Sequence, residues 1–468
     1  MSERGLMQAP IPNAESANAS MRVGFGGVNE TGQIDTGEIS SGKGFTTAHL
    51  PEIRAIHTPQ SVRIFVADII STAVVGDILL IVAFDGTNTN LYYYRDNNMY
   101  VGKLADGKDE RERSIVQFNV YDDPTAITGH FTKKILVFPD KKTLDYDIAS
   151  NFVLADMPDS VVPDIEFASV YNARLFGVKD GRVYASAFNS YAGWNLDTAE
   201  DYSDANAWMS ETQSNPAAQN EFVAITIYDG HPVCFKRDYM QTIYNNKNPF
   251  RVVDIGEFGC VSNRAHTQCL GALYFVSHNG VYRYTGGYPT RISDKLSVKD
   301  YSGAELASHG DEVYMNIGGT IYTYAPLNGS WAIGEVLDEG IEFGHMVSKD
   351  DGVYIFGGGN IFKLRSGSGY FPLSVELGGM AMQTTDNKRP KEVALLYKLD
   401  GDGKILLSVS DSDTTAEKET YRPGTHSARL LTRKLADDIH SISVEAEGNV
   451  ALYYLQYIYT RGGNTYGV

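Results

Sequence analysis

The sequence predicts an all-β protein: a β-propeller of six or seven blades, preceded by an extended N-terminal arm and followed by a small C-terminal β-sandwich. Three observations carry this expectation. Apolar and polar residues alternate, as in Val281-Tyr282-Arg283-Tyr284 and Ile321-Tyr322-Thr323-Tyr324, which is strand period rather than helix period. The 30 Tyr, 20 Phe and 46 Gly among 468 residues favour short strands and tight turns. One unit, an apolar strand, a Gly-containing turn and a strand ending in aromatics, returns about every 40 residues, the length of a four-stranded blade. Generic hairpins in a β-sandwich are the competing reading of the same pattern.

In chain order, residues 1–60 come first. They are rich in Gly, Ser, Thr and Asn and almost without alternation. That composition predicts an arm that orders by lying on something else. No basic stretch followed by an apolar core marks a secretory leader.

Residues 61–379 carry the repeat. Its aromatic position is read at Tyr184, Tyr244, Tyr282, Tyr322 and Phe362, spaced 60, 38, 40 and 40. Two weaker copies lie near 79–94 and 135–146. A lone four-stranded blade has two apolar faces, and radial stacking buries both. Helical windows are scarce; 294–301 and 430–439 are the only two expected. The long first spacing reflects the polar, acidic insertion 189–221. Trp194, Tyr202 and Trp208 lie in it and are expected to serve as interface anchors, with capping of their own blade as the alternative. Residues 380–468 lose the period. Strand patterns at 392–399, 404–410, 442–446 and 450–460 predict the closing sandwich.

The chemistry-bearing motifs nearly form and then fail. Gly37-Glu38-Ile39-Ser40-Ser41-Gly42-Lys43 fits a phosphate loop until Gly44 stands where Ser or Thr must hold magnesium. Gly24-Phe25-Gly26-Gly27 lacks the dinucleotide fingerprint's third glycine. The ten histidines show no metal-binding i, i+4 pair, and no nucleophile elbow occurs. Cys234, Cys260 and Cys269 match no metal clamp and read as buried, reduced thiols. Catalytic, cofactor and metal residues are therefore expected to be none. The charge run Asp106-Gly107-Lys108-Asp109-Glu110-Arg111-Glu112-Arg113 reads as a solvated loop, or else as a contact to a neighbouring subunit. A net charge of -18 opposes nucleic-acid phosphate binding.

One stretch resembles a known family. Gly259-Cys260-Val261-Ser262 leads into Gly271-Ala272-Leu273-Tyr274-Phe275-Val276-Ser277-His278-Asn279-Gly280-Val281-Tyr282-Arg283-Tyr284, followed by Arg291-Ile292-Ser293. This is similar to a blade of the tail nozzle, or packaged-DNA stabilization, proteins of tailed bacteriophages. The preceding segment with Val233-Cys234-Phe235-Lys236, the Trp194–Trp208 loop and the opening Gly24–Gly27 resemble neighbouring parts of that family in the same order. The resemblance implies a virion structural protein without catalytic residues. It implies a homohexameric ring below portal and adaptor, contacting tail fibre proteins, assembled in the host cytoplasm, through which DNA leaves without specific binding. An acidic lumen would keep DNA mobile, though acidity also serves plain solubility. A carbohydrate- or receptor-binding propeller and a glycan-cleaving propeller enzyme are the competing classes.

Overall fold

A computed structural model describes residues 18–461 except 32–34, 36, 123–128, 149–151, 158–161, 195–205, 211–220, 337–342, 378–387, 411–413 and 433–440. Among the described residues every regular element is a strand. Seven four-stranded antiparallel sheets follow one another as blades: 68–106, 114–156, 167–209, 222–256, 266–291, 305–336 and 343–363. The seventh blade takes its outermost strand, Gln60–Ile64, from before the first blade, where it pairs with Asn360–Lys363. The ring is thus closed by strands from the two ends of the propeller, leaving no open seam of backbone groups. The expected helix at 294–301 is irregular loop instead. Its apolar residues, Leu296 and Tyr301, are buried against the blade rather than along a helical stripe. The other expected helix is a strand through Leu431, and 433–439 lies outside the described residues.

Why the aromatics recur is visible in the hairpins. In blades 3, 5, 6 and 7 the residue two places after the second hairpin closes is Tyr184, Tyr282, Tyr322 or Phe362. In blade 4 that place falls on Thr242, and Tyr244 lies two residues further along. In blades 1 and 2 it holds Leu91 and Leu144. These two blades are the weak copies because an aliphatic side chain fills the wedge there. The hairpin of blade 6 turns through Gly318 and Gly319 at φ of 56° and 88°, a left-handed pair that glycine adopts without strain.

Each blade's first strand is innermost. Side-chain hydroxyls and amides stitch neighbouring inner strands together. Ser71 Oγ accepts from the Arg113 amide at 2.8 Å, Ser114 Oγ donates to the Ala168 carbonyl at 3.1 Å, and Gln268 donates to the Ile227 carbonyl at 2.6 Å. Ser348 Oγ accepts from the Ser308 amide at 2.7 Å. These bonds satisfy edge groups that the sheets leave unpaired.

The N-terminal segment lies on other parts of the same chain. Asn18–Gly24 pairs with the last strand, Ser441–Arg461, starting with Asn18 opposite Thr460. Ile39–Lys43 pairs with Leu373–Leu377, and Ile53–Ala55 pairs with the last strand as well. The described residues of 18–56 are therefore ordered by this chain itself, by its C-terminal strands and by blade 6, where the Val28 amide donates to the Trp331 carbonyl and the Gly44 amide to that of Gly334, each at 2.8 Å. Residues 1–17 lie outside the described residues. The sandwich also begins before the expected boundary at 380, because Leu373–Leu377 pairs with 442–446. Two long strands, Lys388–Ser410 and Ser441–Arg461, pair along their length and shift register between Asp400 and Lys404. Gly401 and Gly448 sit there with left-handed φ. The bend folds one nine-stranded sheet over a single core that joins Val23, Ile39, Phe45 and Ile53 to Leu395, Leu407, Val444 and Leu455. The two chain crossings between sandwich and propeller run side by side. The Phe371 amide donates to the Ile56 carbonyl at 2.9 Å, and the Gly367 amide to that of Thr58 at 2.7 Å.

Candidate axial site

Where the inner strands begin, charged side chains from separate blades converge on the propeller axis. Arg264 stands just before the inner strand of blade 5, and Glu305 opens that of blade 6. His345 lies on the inner strand of blade 7, beside a bulge between Phe343 and His345 that re-aims it. Glu112 precedes the inner strand of blade 2. Arg264 Nη1 donates to Glu305 Oε1 at 2.6 Å and contacts His345 Nδ1. Its Nε lies 3.5 Å from Glu112 Oε1. Blades 2 and 5 are not neighbours in a ring of seven, so this ion pair spans the axis. His345 Nε2 reaches the Ile69 carbonyl of blade 1 at 3.0 Å, and Glu305 Oε2 accepts from the Met346 amide at 2.6 Å.

The groups differ in how well they are satisfied. Glu305 is 4% exposed and accepts from both an arginine and a backbone amide, the charge-assisted arrangement that holds a carboxylate firmly. Glu112 is less well served. Burial pushes its carboxyl above the usual range, Arg264 opposes that, and the Glu305 charge adds to it. Neither Glu112 Oε1 nor Arg264 Nε has a hydrogen-bond partner.

The charge run that holds Glu112 is thus only partly the solvated loop expected. Arg113 has a fully buried side chain that donates to Asp140 at 2.9 Å and to Asp109 at 2.6 Å. Hydrogen bonds from Arg111, helped by Arg113, hold the Asp109 carboxyl far below its ordinary value. This anchored guanidinium turns the end of the run inward and delivers Glu112 to the axis. Sequence reasoning passed over Arg264, Glu305 and His345. The period itself is a signal for Glu305 and His345, which stand 40 residues apart at equivalent blade positions; Arg264 falls one residue before the corresponding place in blade 5, which is Ala265.

Chemically, the cluster is a set of opposed charges in which Glu305 is well satisfied and Glu112 is not. Among the described residues no group of three or more His, Cys, Asp or Glu could hold a metal ion. The three cysteines are buried and free, and burial raises the Cys260 thiol to about 12, so it is inert at neutral pH.

The interface anchors expected in the long loop are separated by the structure. Trp194 is 1% exposed and packs with Phe118, Phe138 and Ile165 between blades 2 and 3, its Nε1 donating to the Tyr191 carbonyl at 3.0 Å. It is a core residue of this chain, filling the wedge between these two blades. Trp208 pairs with Ala185 on the outer strand of blade 3 and packs edge-on against Phe250, half-buried. Tyr202 lies outside the described residues. Arg174 ties the loop down by donating to the Ser186 and Asn206 carbonyls at 2.6 and 2.8 Å.

No protein-family model matches the chain. No curated protein matches it either. Among solved structures, it is similar to the computationally designed Ika8 protein at 14% identity, covering 65% of this chain and 98% of that one with a TM-score of 0.36. A chain of the mitotic checkpoint complex matches at 9% identity, 66% and 93% coverage and a TM-score of 0.35. PorZ, a surface component of the type-IX secretion system of Porphyromonas gingivalis, matches at 10% identity, 76% and 46% coverage and a TM-score of 0.36. Likenesses this distant carry no argument about what the chain does.

Proposed function

We propose that this chain is a virion structural protein that forms the nozzle ring of a short phage tail, below portal and adaptor. The observation that supports this reading is the tied-off axis. A propeller's central channel is its natural ligand cup. Here Arg264 and Glu112 meet across it at 3.5 Å, and Glu305 and His345 join the same cluster. This end of the channel is therefore occupied by the chain's own side chains, which suits a part that bears load and contacts neighbours better than an open ligand cup. The sequence resemblance centred on blades 4 and 5 points the same way. In this reading six copies form a homohexamer, tail fibres and adaptor attach to it, and DNA passes through the ring's lumen, outside the propeller's own axis.

The net charge of -18 per chain suits such a lumen, since an acidic wall repels duplex DNA over a Debye length of ~8 Å. The purified full chain should form six-membered rings by native mass measurement and should be found in purified virions in a few copies each. The ring should leave duplex DNA unshifted in a gel at low salt. A monomer at every concentration, absent from virions, overturns the proposal. Retention of DNA at low salt would show a lumen that grips rather than guides.

A further inference from the structure

Away from the axis, the seam between blades 7 and 1 holds a cavity of about 280 Å³. Its aromatic lining is Tyr354, from the second strand of blade 7, and Tyr94, from the third strand of blade 1. The same pair of positions recurs at the two preceding seams. Tyr274, Tyr314 and Tyr354 occupy corresponding places on the second strands of blades 5, 6 and 7. Tyr324 pairs with Val313 in blade 6 as Tyr94 pairs with Leu79 in blade 1.

What differs is the cap. At the seam of blades 5 and 6, Tyr274 and Tyr324 lie 6.0 Å apart and Trp331 packs on Tyr324 at 5.0 Å. At the seam of blades 6 and 7, the Arg365 guanidinium covers Tyr314 at 5.0 Å. At the seam of blades 7 and 1, Lys349 lies over Tyr354 at 5.8 Å and Arg63 over Tyr94 at 5.3 Å, and the space between the two tyrosines stays open.

The open site is held in shape. The Tyr354 hydroxyl donates to Asp351 at 2.8 Å, and the Tyr94 hydroxyl to Asn97 at 3.0 Å. Arg63 stacks over Tyr94 at 5.3 Å, which fixes that ring. The lining charges cancel: Asp77 and Asp96 stand against Arg95 and Lys349. Arg95 donates to Asp77 at 2.7 Å, and Lys349 pairs with Asp351 at 3.2 Å. Neither an anion nor a cation is selected. The site offers two tyrosine rings, an apolar floor at Leu79, Val62 at the mouth, and polar groups at the rim, Asn97 and the 85% exposed Asp96. Pyranose rings present that combination in reverse, with C–H faces that lie on aromatic rings and hydroxyls that bond to amides and carboxylates.

We propose that this seam pocket binds one or two pyranose units of an uncharged saccharide. The proposal stands whether or not the chain forms a nozzle, because every group it uses lies within one copy. The test is saturation-transfer NMR on the full chain with methyl glucoside, methyl galactoside and methyl N-acetylglucosaminide as probes. At least one should show transfer, with a Kd on the order of 1 mM. Val62→Trp, which fills the mouth from an exposed edge strand, should weaken it about tenfold, and so should Tyr94→Ala. Tyr288→Ala, on a residue 80% exposed on blade 5, should leave it unchanged. No transfer from any probe overturns the proposal, as does a signal that survives Val62→Trp unchanged. If Tyr94→Ala fails to fold, Val62→Trp decides alone.

Discussion

The propeller and the terminal sandwich are both antiparallel β-structure, yet they use the chain in opposite ways. Each propeller sheet is made from one continuous stretch and buries its faces against the next stretch in sequence; the single exception is Gln60–Ile64, which closes the ring. The sandwich is discontinuous. It joins Asn18–Gly24 to the strand ending at Arg461, with the whole propeller inserted between its parts. The comparison teaches that local repetition makes a fold tolerant, because each blade needs only its neighbours. A sheet closed by distant strands has no such reserve and forms only once the chain is complete.

The largest expected effect comes from removing residues 1–56. This deletes Val23, Phe25, Val28, Ile39, Phe45 and Ile53 from the sandwich core. At about 1.5–3 kcal/mol per buried side chain, the loss approaches or exceeds a domain's whole stability of about 5–15 kcal/mol. Hydrogen exchange should show the sandwich unprotected while the propeller strands stay protected. Simultaneous loss of both would erase the contrast and show one cooperative unit.

Trp194→Ala should follow, at about 3–5 kcal/mol by denaturant unfolding, since it empties the wedge between blades 2 and 3. Trp208→Ala, half-buried at the rim, should cost clearly less. If Trp208→Ala disturbs ring assembly without lowering the melting temperature, that residue is an interface anchor and only Trp194 is core.

Within the axial cluster the two glutamates should diverge. Glu305→Gln takes the charge from a carboxylate that accepts two strong hydrogen bonds, and should destabilise by about 1.5–3 kcal/mol at pH 7. Glu112 has a raised folded value, so its contribution is present at low pH and lost as pH rises through that value. Glu112→Gln should therefore be neutral or stabilising at pH 7. Equal losses in the two variants would mean that the cross-axis ion pair, rather than the link between blades 5 and 6, holds the centre.

The smallest effect is a pH slope. Burial lowers His266 to about 4, against ~6.5 in the unfolded chain. The unfolded state then binds more protons between these values, and stability falls as pH drops from about 6.5 toward 4. His266→Leu should flatten that slope in melting curves taken across this range.

How much of this was legible depended on how local the cause was. Blades 5, 6 and 7 announce themselves because Tyr282, Tyr322 and Phe362 occupy one hairpin position at a spacing of 40. Blades 1 and 2 are faint because Leu91 and Leu144 do the same filling without an aromatic mark. Tyr244 misled by two residues, since the equivalent position in blade 4 is Thr242. The axial cluster was illegible for a different reason. Glu112 and Arg264 each look like surface charges, and nothing along the chain says that two blades will point them at one axis.

The sequence by itself determined the class, the blade period and the hairpins, because alternation and turn chemistry act between residues a few positions apart. Tertiary structure alone decided what the ends and the centre do. It ordered the described residues of 18–56 by supplying strand edges from the far end of the chain and contacts on blade 6. It turned Trp194 from a surface aromatic into core by closing two blades over it. It brought Glu112 within 3.5 Å of Arg264, since only ring closure fixes which inner strands face each other. It left a pocket between Tyr354 and Tyr94 at the seam of blades 7 and 1, because only ring closure brings these two blades together.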